Sequence, residues 1–246
     1  MLNRRRMIIL AAALIVSSLV LYTFHYLVFS DIHHILIYGL GELAFLPIEV
    51  LLVTLVIDRL LEASEKRAML NKLNMVIGAF FSEVGTEFIQ RVSALDLNFG
   101  KIRRNFIVTP EWTDKTFAAT KASLDGYEYR IRAESRNLIE LKQFLVGKRD
   151  FLLRLLENPN LLEHEAFSEL LWSVFHLTEE LDARQDLTKQ SEADADHLVV
   201  DTKRAYIAVL GEWLDYMRHL KRSYPYLFSL AVRTNPFDPD AKAEIS

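Results

Sequence analysis

The chain has 246 residues, 51% hydrophobic and 25% charged, with a net charge of −4 and no cysteine. That length holds one or two domains; the missing thiols exclude disulfides, thiolate metal sites and a cysteine nucleophile, and the acidic balance lacks the basic footprint of a nucleic-acid binder. Charge is also unevenly spread, 26 of the 29 Lys and Arg lying beyond Ile57, which excludes a uniformly soluble globule and a disordered chain alike.

Met7 to Phe29 contains no Asp, Glu, Lys or Arg, and Ile35 to Ile57 contains only Glu42 and Glu49. Each run is 23 residues, about 35 Å as a helix, which covers a hydrocarbon core of about 30 Å. The first has the basic start of a signal peptide. Its apolar run is too long for one, and Tyr22, Phe24 and Tyr26 stand where a small-x-small cleavage site would follow, so it reads as a retained anchor. Ser30-Asp31-Ile32-His33-His34 joins the spans as a tight hairpin without a basic residue. Arg4, Arg5 and Arg6 precede the first span, and Arg59, Lys66, Arg67 and Lys72 follow the second. Basic residues stay on the cytoplasmic side, which predicts a multi-pass protein of the cell membrane with both termini cytoplasmic. Tyr22, Tyr26 and Tyr38 then belong to the outer interface.

Asp58 to Leu95 lacks proline, and Leu70, Leu73, Ile77, Phe80, Val84, Phe88 and Val92 recur at helical spacing. The pattern predicts a helix from Ile35 to about Leu95, some 90 Å long, that projects beyond the bilayer. Its apolar stripe suits either its own bundle or a coiled coil between subunits. Gly78, Ser82 and Gly85 share a face that permits close helix packing. Asn98 to Val108 mixes Lys101, Arg103 and Arg104 with Phe99, Ile102, Phe106 and Ile107; it reads as a structured loop, with docking on anionic lipid as the alternative.

Thr109-Pro110-Glu111 has the form of a helix start. Helices are expected to about Leu124, from about Tyr127 to Glu157, from about Leu162 to Arg184 and from about Asp194 to Ser223. Asp125-Gly126 and Asn158-Pro159-Asn160 are the breaks, and Gln185 to Ala193 a polar linker. The expected organisation is an all-α membrane protein: a transmembrane hairpin over 1–57, an extension helix over 58–97, a cytoplasmic helical domain over 98–232 and a disordered tail over 233–246.

Glu42 and Glu49 are the sharpest feature. Seven residues apart, they lie within roughly 20° of one helix face. Acids inside a span face a bundle interior or a water-filled cavity; in a homo-oligomer they would form carboxylate rings of the kind that select cations. The alternative is protonated acids acting as hydrogen-bonded glue. Pro47 between them removes a backbone hydrogen bond and predicts a hinge. His25 is placed to meet Glu42 across the hairpin, and with Asp31, His33 and His34 it makes an external cluster that suits pH sensing or a transition metal, or simply a polar turn.

Further along, Asp194, His197 and Asp201, then Asp215 and His219, and one helix earlier Glu165, Glu169, His176 and Glu180, place acids and histidines on shared faces. The Glu-x-x-His pattern of di-metal bundles is absent, so they read as a solvated face with no metal. No phosphate loop, dinucleotide fingerprint, nucleophile elbow or His-Glu-x-x-His occurs, so neither enzyme activity nor a cofactor is expected. The expected function is a homo-oligomeric cation channel in the lipid bilayer. The alternative is a non-conducting scaffold or sensor whose helical domain recruits a cytoplasmic protein. Nucleic acid is not an expected partner.

Overall fold

The computed structural model describes residues 4–132, 134–159, 161 and 164–244. The side chains of Arg4, Arg5, Arg6, Arg67 and Leu70, and all of Leu162, lie outside the described residues. The described residues are helical throughout, apart from loops and one isolated antiparallel bridge between Asp96 and Ile131. They divide into two compact units, residues 1–66 and 67–246.

The first unit holds α1 (Arg4–Phe29) and the start of α2 (Ile32–Phe80). Both are long and apolar enough to cross a membrane, with mean hydropathies of 2.1 and 2.2. The connection is shorter than the sequence suggests. Ser30 alone takes a left-handed backbone, φ 50°, and its N–H bonds to the Tyr26 carbonyl at 2.8 Å. Asp31 Oδ1 then accepts from the N–H groups of His33 and His34 at 2.9 and 3.2 Å. That is the bonding of a helix N-cap, so both histidines belong to the first turn of α2 and not to a loop. α2 continues through Pro47.

The second unit begins with the end of α2, a π turn (Phe81–Gly85) and α3 (Thr86–Ser93). The expected helix to Leu95 is thus helical to Ser93 but re-phased at Phe81. Leu73, Ile77, Phe80, Val84, Phe88 and Val92 are all buried in this unit's own core, so the stripe is not free to form a coiled coil between subunits. Gly78 faces the Tyr216 ring, Ser82 is exposed, and Gly85 is buried.

The basic connector, expected as a structured loop, is instead helical over α4 (Phe99–Ile102) and a 3₁₀ turn (Arg103–Phe106), because Ile102 and Phe106 are buried and Arg103 Nε donates to the Phe237 carbonyl at 2.9 Å. α5 (Asp114–Ser123) starts later than Thr109, because Thr113 forms the capping box with Thr116. Tyr127 to Arg132, expected as helix, is instead extended. Leu97 N–H bonds to the Arg130 carbonyl and Arg132 N–H to the Leu95 carbonyl, while buried Asp96 accepts from Tyr127 Oη at 2.6 Å and Arg130 N–H at 3.1 Å. These bonds outweigh the local helical pattern.

α6 (Ser135–Gly147) and α7 (Arg149–Leu156) lead to α8 (Glu165–Ala183) and α9 (Glu192–Ser223). The last two form the spine. Phe167, Leu170, Leu171, Val174, Leu177 and Leu181 line the buried face of α8, and Leu198, Ala205, Tyr206, Val209, Trp213 and Met217 that of α9. Ser191 caps α9 by accepting from the Asp194 N–H. α10 (Pro225–Arg233) starts on a proline. The tail expected to be disordered from 233 is ordered at its start. Phe237 is 1% exposed against Phe106 and Trp213, with ring centroids at 4.8 and 5.0 Å, and Asn235 Nδ2 donates to the Phe106 carbonyl at 2.9 Å.

A Cβ at Gly85 would lie 2.5 Å from Phe81 Cδ1 and 2.8 Å from Phe80 Cε1. Both rings are buried and have nowhere to retreat. Gly85→Ala should therefore destabilise the fold by about 1–3 kcal/mol in chemical denaturation, despite alanine's helical advantage. Gly100→Ala, with open space around it, should be close to neutral.

Candidate functional site

The sequence points first to the hairpin. Glu42 and Glu49 line one open groove along α2 with Gly39, Leu46 and Tyr22 of α1, about 740 Å³ in volume. Tyr22 Oη lies 3.5 Å from Glu42 Oε2 as a hydrogen-bond donor. A second groove of about 610 Å³ joins Glu42 to Ser17, Ser18, His25 and Tyr38. The polar contact to Glu42 across the hairpin thus comes from Tyr22 and not from His25. His25 stacks on His34 with ring centroids 5.9 Å apart, and its Nδ1 has no hydrogen-bond partner among the described residues. Asp31 is engaged in capping. Of the readings offered for His25, Asp31, His33 and His34, the metal one gains no support: among the described residues, the one group of His and acids with metal-like spacing lies elsewhere.

The second unit holds two sites whose residues the sequence pattern does not bring together. One is a cleft of about 490 Å³ lined by Asn74, His164, Glu212, Asp215 and His219. His164 Nδ1 accepts from the Phe167 N–H at 3.1 Å, capping α8. A neutral ring therefore carries its proton on Nε2, which faces Glu212 Oε1 at 3.8 Å. Glu212 is 4% exposed. Burial, then the neighbouring Asp215, pushes its carboxyl up to about 7, with Lys121 opposing. Asp215 is itself paired with Lys121 and with Arg218. Burial and then Arg222 hold the His219 imidazole below its usual value. A carboxyl that titrates near neutrality beside an imidazole can exchange a proton at neutral pH.

The other site lies where α8 meets α9. His176, Glu180, His197 and Asp201, expected on a solvated face, converge there, and Asp201 is 2% exposed. Arg184 bridges Glu180 and Asp194, holding both carboxyls below their usual values. The sequence did carry a signal, a histidine four residues before an acid in each of two helices. Its detection requires knowing that those helices pack together.

The family described as "MJ1433, N-terminal helical domain" matches residues 2–61, and "Uncharacterized protein MJ1433, C-terminal helical domain" matches residues 69–233. A Methanocaldococcus jannaschii relative, described as "Uncharacterized protein MJ1433", is 47% identical over 236 residues, covering 96% of this chain and 95% of the relative. No solved structure matches. The chain belongs to the MJ1433 family.

Glu212 carries a pH prediction. Its folded value lies above the ordinary one, so its contribution to stability is full below about pH 4.5 and declines as pH rises towards about 7. Glu212→Gln should raise unfolding stability at about pH 8 by up to about 3 kcal/mol and give little gain at about pH 4.5. Denaturant melts of both proteins at the two pH values check this; an equal gain at each would show that the carboxyl is not displaced.

Proposed function

We propose that this member of the MJ1433 family is an integral membrane protein whose two-helix hairpin self-associates in the bilayer and passes or binds cations along Glu42 and Glu49. The observation that carries the reading is the shared groove: both carboxyls open onto one face of α2 with Gly39 and Tyr22. Acids are costly against lipid and are retained where they face a helix contact or water. A ring of such faces gives a cation path. Ser17 and Ser18 on the other groove suit close contact between copies. The basic residues at Arg4–Arg6, Arg59 and Lys66 favour cytoplasmic placement of both ends.

A second reading is supported by the second unit, whose hydrophobic core is its own. In that reading the hairpin only anchors a helical domain that acts as a scaffold or sensor for a cytoplasmic protein.

Mass measurement in detergent should return an oligomer, and a monomer would count against the shared acidic face. Full-length protein in liposomes should pass cations above the protein-free rate, with Glu42→Gln or Glu49→Gln lowering flux several-fold. No flux from an intact oligomer assigns the hairpin to anchoring. A reporter active only outside the membrane should stay silent at the C-terminus.

A further inference from the structure

α8 and α9 each present a histidine with an acid four residues on: His176 and Glu180, His197 and Asp201. Residues at this spacing share a helix face, and the packing of the two helices turns the pairs onto one another. Asp201 Oδ2 lies 3.3 Å from Nε2 of His176 and 3.3 Å from Nε2 of His197. Glu180 brings Oε1 to 3.8 Å from His176 Nε2 and Oε2 to 3.5 Å from His197 Nε2. Ligand atoms of His176, Glu180 and Asp201 all fall within 4.8 Å of one another.

Three properties distinguish this cluster from a surface ion-pair network. The first is an unanswered buried atom. Asp201 is 2% exposed and its Oδ2, between two imidazoles, accepts no hydrogen bond. The nitrogens stand 3.3 Å away, beyond the roughly 2.7–2.9 Å of a charge-assisted hydrogen bond. A buried carboxylate oxygen without a hydrogen bond, flanked by two imidazole nitrogens, is a donor set of the kind that takes a metal ion.

The second property is the spacing itself. An ion with four tetrahedral bonds of about 2.0–2.2 Å to nitrogen and oxygen sets its ligand atoms roughly 3.3–3.5 Å apart. Asp201 Oδ2 lies 3.3 Å from each imidazole Nε2, Glu180 offers Oε1 to His176 at 3.8 Å and Oε2 to His197 at 3.5 Å, and the atoms of His176, Glu180 and Asp201 are the set that lies mutually within 4.8 Å. The third is outer support. Arg204 holds Asp201 through the other oxygen, Oδ1, at 2.9 Å, and Arg184 holds Glu180 through Oε2 at 2.8 Å. Arg204 thus holds Asp201 by the oxygen the imidazoles do not approach, outer support of the kind such sites use, while Arg184 holds Glu180 by the same Oε2 that approaches His197.

We propose that His176, Glu180 and Asp201, with His197 beside them against Asp201, form a binding site for a divalent transition metal such as Zn²⁺. Imidazole and carboxylate ligands without thiolate suit such an ion. The histidine side chains are 46% and 50% exposed, which leaves the ion a path in from solvent. Bound there, it ties α8 to α9. The site lies within the second unit and does not depend on the function proposed for the hairpin.

The test uses full-length protein stripped by chelator and titrated with Co²⁺, followed by visible absorption, and with Zn²⁺, followed by calorimetry. One ion per chain is expected, with a tetrahedral Co²⁺ spectrum that Zn²⁺ abolishes. His176→Gln and His197→Gln alter half-exposed side chains and should keep the helical circular dichroism, yet each should weaken binding by about 10–100-fold. Zn²⁺ should raise the thermal midpoint of the wild type and leave that of the doubly substituted protein unmoved. Failure to saturate in the micromolar range, or an affinity unchanged in the double variant, overturns the proposal and leaves the cluster as ion pairs.

Discussion

The two N-terminal helices expose an apolar surface that they do not bury against each other. Of the described side chains from Ile8 to Lys66, His25, Ile35 and Gly39 reach half-burial and the others are exposed. At about 25 cal/mol per Å², so many uncovered Leu, Ile, Val and Phe side chains represent tens of kcal/mol, against a typical domain stability of about 5–15 kcal/mol. The hairpin therefore depends on a cover from outside itself, which lipid and further copies supply in the reading we propose. The same constraint orders its polar atoms. Ser17, Ser18, Tyr22 and Glu42 gather on grooves between the helices, and Asp31 is spent on capping backbone N–H groups that have no other partner in the turn.

The second unit solves the opposite problem. Most of its large apolar side chains are buried in a single cluster around α8 and α9, with Met75, Trp172 and Tyr226 among the exposed ones, and its irregular segments are fixed by specific polar anchors. Asp96 gathers Asn98, Tyr127 and Arg130. Asn235 and Arg103 fasten the segment that carries Phe237 into the core. Each anchor satisfies a buried donor or acceptor that would otherwise oppose folding.

Those anchors also mark where sequence reading fails. Runs free of charge, and stripes with three-and-four spacing, were legible because every residue in them reports the same periodicity; Leu73 to Val92 and the buried face of α8 are of this kind. Tyr127 to Arg132 was not, because one distant acid, Asp96, overrides its local pattern. Phe237 stands between two prolines in a polar tail, and average composition hides a single aromatic that fills a hole in the core. At the hairpin, Glu42 and Glu49 were identified by type and phase alone, whereas their neighbours across the groove required coordinates. His176 and His197 are 21 residues apart on different helices, so periodicity could place each on a face but not the faces on each other.

The contrast between Asp201 and Glu212 shows why burial alone does not define a site. Both acids lie on α9 and are almost fully buried. Around Asp201 stand a guanidinium and two imidazoles, all able to meet a negative charge or, for the imidazoles, to share a cation with it. Around Glu212 the nearby charges are Asp215, which opposes ionisation, and Lys121, which is committed to Asp215. The carboxyl at Glu212 answers by holding its proton up to near neutrality. Both carboxyls are cut off from solvent; the partners decide the chemistry. One end of the spine is thereby built to gather positive charge, while further along the same helix a carboxyl is poised to give up or take a proton.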